Sequence, residues 1–99
     1  MDEINILWDT HAKISFQKQI KRIAEDSIQN AENVRFSILS MIDKIPENPE
    51  KFPLDRFKVS NNGMFRAFEK FSIRVVYFIG PDQIKILRVR HTKQEPENY

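Results

Sequence analysis

Ile4 to Trp8 is a short apolar run closed by Asp9-Thr10, and the next apolar positions, Ala12, Phe16, Ile20 and Ile23, follow in steps of four, four and three. That spacing puts them on one face of a helix and turns Lys13, Gln17, Lys18 and Lys21 outward. A strand therefore leads into an amphipathic helix, whose first amides are capped by the side-chain oxygens at Asp9-Thr10. Ser27 marks a break. A second stripe follows through Ala31, Val34, Ile38, Ile42 and Ile45, until Pro46, which has no amide to donate, stops the helix. Two helices in an antiparallel hairpin are expected.

From Pro46 to Gly63 the chain carries Pro46, Pro49 and Pro53 and closes on Asn61-Asn62-Gly63, residues that tolerate positive φ, so this stretch reads as a loop with room for a short helical turn. Beyond it, Met64–Glu69, Ile73–Ile79 and Gln83–Val89 are rich in β-branched and aromatic residues, and Gly80-Pro81-Asp82 separates the last two. The order strand, helix, helix, then a meander of three strands predicts an α+β fold: a two-helix hairpin packed on one face of a four-stranded, mainly antiparallel sheet. One domain over residues 1–99 is expected at this length. Along Ile73–Ile79, period-two alternation sends Ile73, Val75, Tyr77 and Ile79 to one side and Arg74, Val76 and Phe78 to the other. Neither side is wholly polar, so the strand suits a central position whose second face is covered, by a partner protein, RNA or a C-terminal tail.

Composition narrows this picture. Hydrophobic residues at 40% and charged residues at 30% describe a folding chain and not a solvated tail. No cysteine is present, and His11 and His91 stand apart, so neither a thiolate metal site nor a cysteine nucleophile is implied, and no cofactor is. The opening MDEINILWDT is acidic where a secretion signal is basic, and no stretch has the length of a membrane span; a cytoplasmic location is expected. The net charge is +2, but from Phe57 to Lys93 the basic residues Lys58, Arg66, Lys70, Arg74, Lys85, Arg88, Arg90 and Lys93 face only Glu69 and Asp82, so the C-terminal half is the basic one.

Trp8 followed by the Ala12 helix, the helix near Ala31, Ile45-Pro46 with Pro49, IRVVY at Ile73–Tyr77 and ILRVRH at Ile86–His91 together resemble the RelE/ParE toxin superfamily, from Ile4 to Gln94. ILRVRH is similar to the ParE-like branch and IRVVY to the arginine-bearing strand of the RelE branch. The resemblance implies the toxin of a type II toxin–antitoxin (plasmid stabilisation) system, bound by a cognate antitoxin. RelE-like members cut messenger RNA in the ribosome as RNA-binding enzymes, whereas ParE-like members inhibit DNA gyrase without cutting RNA. A degenerate toxin that only binds its antitoxin is a third reading.

Transesterification of RNA requires a base, a charge stabiliser and an acid for the leaving oxygen. The resemblance puts Arg74 on the phosphate-holding arginine, with pairing to Glu69 or to the antitoxin as the alternative. Arg66 falls on the first of two basic positions on the preceding strand, the second of which is Phe68 here; a contact to phosphate or antitoxin competes with catalysis, and Lys70 lies further along. Arg88, Arg90, His91 and Lys93 form a basic cluster for a polyanion or an acidic antitoxin segment, with Arg88 and Arg90 on one face and His91 on the other; His91 is also an acid–base candidate. Tyr99 is spaced from Lys93 as the family's C-terminal tyrosine is from its basic residue, and competes with a frayed end among Glu95, Pro96 and Glu97. Trp8 and Phe16 are expected in the core or at its rim, and the lysine-rich helix face with Arg22 is expected in solvent or, in a ParE-like toxin, against the target.

Overall fold

The computed structural model describes residues 4–94 and 97–99. Strand β1 (Asn5–Trp8) passes into helix α1 (Thr10–Asp26) at Asp9, whose carboxylate accepts from the His11 and Ala12 amides, donors that no helical carbonyl can reach. Ser27 then serves both helices. Its amide donates to the Ile23 carbonyl at the end of α1, and its hydroxyl accepts from the Asn30 amide at the start of α2 (Ile28–Asp43), so the hairpin needs no longer connection. At Pro46 the chain tightens into a 3-10 turn over Ile45–Glu47.

Strands β2 (Phe65–Lys70), β3 (Ile73–Ile79) and β4 (Gln83–His91) complete a four-stranded sheet in the order β1-β4-β3-β2. β1 runs parallel to β4 and the other pairs are antiparallel. The α+β architecture is the one expected. Both helices pack on one face, where Ala12, Phe16, Val34, Ile38 and Ile42 meet Val75, Tyr77, Ile84, Ile86 and Val89 in a single buried cluster. Trp8 sits at its rim, its ring 5.6 Å from that of Phe16. Among the described residues no helix is long and apolar enough to cross a membrane.

The opposite face is not open. Residues 49–60 wrap the β2 edge: Pro49 accepts from the buried Tyr77 hydroxyl on the helix side, Pro53 accepts from the Ala67 amide, and the Asp55 amide donates to Phe65. The segment then crosses to the front, where Tyr99 lies beside it, its amide donating to Phe57 and its carbonyl accepting from the Val59 amide. A loop and a tail thus cover the β2–β4 front, because Val76, Phe78 and Phe65 on that side are apolar surface that must leave water.

Candidate functional site

The front is organised by a buried carboxylate. Asp55 is 2% exposed. Its Oδ1 accepts from Arg74 Nη2 at 2.6 Å and from the Phe57 amide at 3.2 Å, while Oδ2 accepts from the Tyr99 hydroxyl at 2.6 Å. Burial pushes the Asp55 carboxyl up, but the hydrogen bonds from Tyr99, Arg74 and the Phe57 amide, with the Arg74 charge, outweigh it and hold the group below its ordinary range. Asn61 secures the same corner by donating to the Asp55 and Phe65 carbonyls, while its own oxygen accepts from the Gly63 and Phe65 amides.

Arg74 is saturated. Besides Asp55 it binds Glu69 Oε2 at 2.8 Å, and its guanidinium lies 5.0 Å from the Phe57 ring centroid. The expected pairing with Glu69 is present, and Asp55, which no local pattern marks, is the more deeply buried partner. Arg88 is stacked on the Tyr99 ring at 4.0 Å, and Lys58 approaches the same ring at 5.1 Å.

Tyr99 is therefore not a frayed end: it is half-buried and bonded through side chain and backbone alike. Glu95 and Pro96, read with it as fraying, lie outside the described residues. Burial and the adjacent Asp55 charge push the phenol well above its usual value, so at neutral pH it stays protonated and donates. The recess left between Tyr99, Arg74, Arg88 and Arg90 is about 10 Å³, room for one water at most.

The basic residues divide between two faces. Arg74, Arg88 and Arg90 share the front, in register through the Arg74↔Arg90 and Val76↔Arg88 pairs. Arg66 does not join them: it pairs with Tyr77, on the same side of β2 as the buried Phe68. Its guanidinium donates to the carbonyls of Gly63, Glu50 and Phe52 and so ties down the wrapping segment. Burial raises Tyr77 to about 12 against the opposing Arg66 charge, leaving a neutral hydroxyl for Pro49. Lys70 and His91 both pair with Ile73 and point to the helix side as well. His91 Nδ1 accepts from the Lys93 amide in the turn that follows β4, where Lys93 is exposed. The alternation that separates His91 from Arg88 and Arg90 is as expected.

A second feature lies along β1 and the helices. Ile14 (43% exposed) lines a groove of about 900 Å³ together with Trp8, Phe16, Ile20 and Leu39, bordered by Lys13, Lys21 and Arg35 and by Glu32. β1 is an edge strand, so the backbone beside this groove is unpaired by any other strand of the sheet.

The family profile described as ParE toxin of type II toxin-antitoxin system, parDE, matches residues 6–96. Among solved structures the chain is similar to one from the chromosomal ParDE system of P. aeruginosa, at 12% identity and TM-score 0.68 over 89% of this chain and 95% of that one. It is also similar to one from the toxin–antitoxin complex RelBE2 of Mycobacterium tuberculosis, at 20% identity and TM-score 0.53 over 92% and 93%. No curated protein sequence matches it. The structural likenesses speak for the shared fold, and the profile match, which spans nearly the whole sequence, speaks for descent: the chain belongs to the ParE toxin family of type II toxin–antitoxin systems.

Proposed function

We propose that this toxin acts in the cytoplasm by binding its target, DNA gyrase as the ParE-like reading implies, and does not cut RNA. The observation that carries this is the engagement of Arg74 by Asp55 and Glu69 beneath Tyr99. A phosphate-holding arginine needs a free guanidinium facing the substrate; here both arms are matched to carboxylates that are part of the fold. The remaining chemistry does not converge either, since Phe68 is in the core, Arg66 is bonded to backbone on the other side, and His91 faces away from Arg88. Ribosome-dependent messenger RNA cleavage, the RelE-like alternative, would require the Tyr99 corner to unfold first.

Purified toxin should inhibit supercoiling by DNA gyrase; unimpaired supercoiling at saturating toxin would remove this reading. If antitoxin binding persists without growth inhibition, the degenerate reading holds instead.

The cognate antitoxin fits the groove on β1 and α1. Its apolar lining and its three cations, Lys13, Lys21 and Arg35, against the single carboxylate of Glu32 suit an amphipathic segment with acidic flanks. Ile14→Glu puts a charge among the apolar side chains that line the groove, and antitoxin affinity measured by calorimetry should fall at least ~10-fold. Unchanged affinity would move the antitoxin elsewhere.

A further inference from the structure

Phe71 and Ser72 join β2 to β3 with φ of 54° and 62°. Two successive positive φ values between the paired Lys70 and Ile73 make a primed turn, which matches the twist of a two-residue hairpin and is ordinarily built from Asn-Gly. A side chain in this region crowds its own following carbonyl, and a bulky one has no local hydrogen bond to offset the strain. Nothing in the core explains the choice. Phe71 is 51% exposed, and the ammonium of its neighbour Lys70 lies 5.4 Å from its ring. Strain kept at an exposed aromatic, where a better turn residue would relieve it, marks a segment held for contact with something else.

Basic side chains border the turn. Lys70 and His91 flank the turn from the helix-facing side, and Arg22 reaches it from α1. Phe71, Arg22 and His91 line a cleft of about 440 Å³ whose wall includes Ile23 and Val34, with Asp26 as its acidic member. An exposed aromatic knob with the Arg22 and Lys70 cations beside it suits a protein surface with an apolar recess bordered by carboxylates.

We infer that the corner centred on Phe71, with Arg22, Lys70 and His91 around it, is the surface that engages the target protein, its ring entering an apolar recess and the Arg22 and Lys70 charges meeting acidic groups. This rests on the proposal that the toxin works by binding its target. Phe71→Asn supplies a residue the turn prefers, so the protein should fold at least as well and melt at an equal or higher temperature. Its half-inhibitory concentration against gyrase supercoiling should rise at least ~10-fold while antitoxin affinity is unchanged. Arg22→Glu, on α1 and outside the turn, should act in the same direction. Wild-type inhibition matched by both variants would overturn the inference, as would a parallel loss of antitoxin binding in both, which would assign the corner to the antitoxin. Failure of the wild-type toxin to inhibit supercoiling would instead overturn the target-binding reading beneath it.

Discussion

Asp55→Ala is expected to destabilise the protein by ~3 kcal/mol or more in urea denaturation followed by Trp8 fluorescence. The substitution removes more than one bond. Arg74, whose side chain is 11% exposed, loses its buried counter-charge, while the Tyr99 hydroxyl and the Phe57 amide lose their acceptor in the same step. The tail and the wrapping segment should loosen together, seen as faster amide exchange at Phe57 and Val59. The pH dependence has a fixed sign. The Asp55 carboxyl ionises more readily folded than unfolded, so its contribution is complete above the ordinary value of 3.8 and is lost as pH falls through the lower folded value. Wild-type protein should therefore weaken more steeply in acid than Asp55→Asn. Equal acid profiles would mean that the carboxylate is not the hub described above.

Arg74→Ala should cost about as much, ~3 kcal/mol, because it strands the Asp55 charge with only neutral donors. Glu69→Ala should cost less than ~1 kcal/mol, since the Glu69 side chain is 43% exposed and water replaces its partner. One arginine thus makes two ion pairs of very different worth. Pairing Asp55→Asn with Arg74→Met should restore part of the loss, leaving the double variant more stable than the sum of the single changes predicts. A strictly additive pair would contradict the coupling. Loss of toxicity in Arg74→Ala would then follow from an unlatched tail and would be no evidence for phosphate binding.

Most of the scaffold was legible because its causes are local. Helical spacing placed Phe16, Val34, Ile38 and Ile42 in the core, Ser27 lay at the break it caps, and Gly63 takes the positive φ expected of Asn61-Asn62-Gly63. Alternation along β4 also separated Arg88 and Arg90 from His91. The site was less legible for two physical reasons. The β2–β3 hairpin turns through Phe71-Ser72, which carries no Asn or Gly signal, so the pairing of Lys70 with Ile73 was hidden, and with it the fact that Arg66 and Lys70 oppose Arg74 across the sheet. The Asp55–Tyr99 contact joins residues 44 apart in sequence, and no periodicity reports such a contact. An aspartate between Leu54 and Phe57, in a segment with three prolines nearby, was the one hint of a buried loop carboxylate.

A toxin whose Arg74 stays bound to Asp55 and Glu69 leaves messenger RNA intact in a translating extract given saturating purified protein, and mapping 5′ ends before and after addition should give an unchanged set. New ends that depend on the toxin would refute a binding-only mode of action, because Arg74 would then have to leave both carboxylates to hold a phosphate.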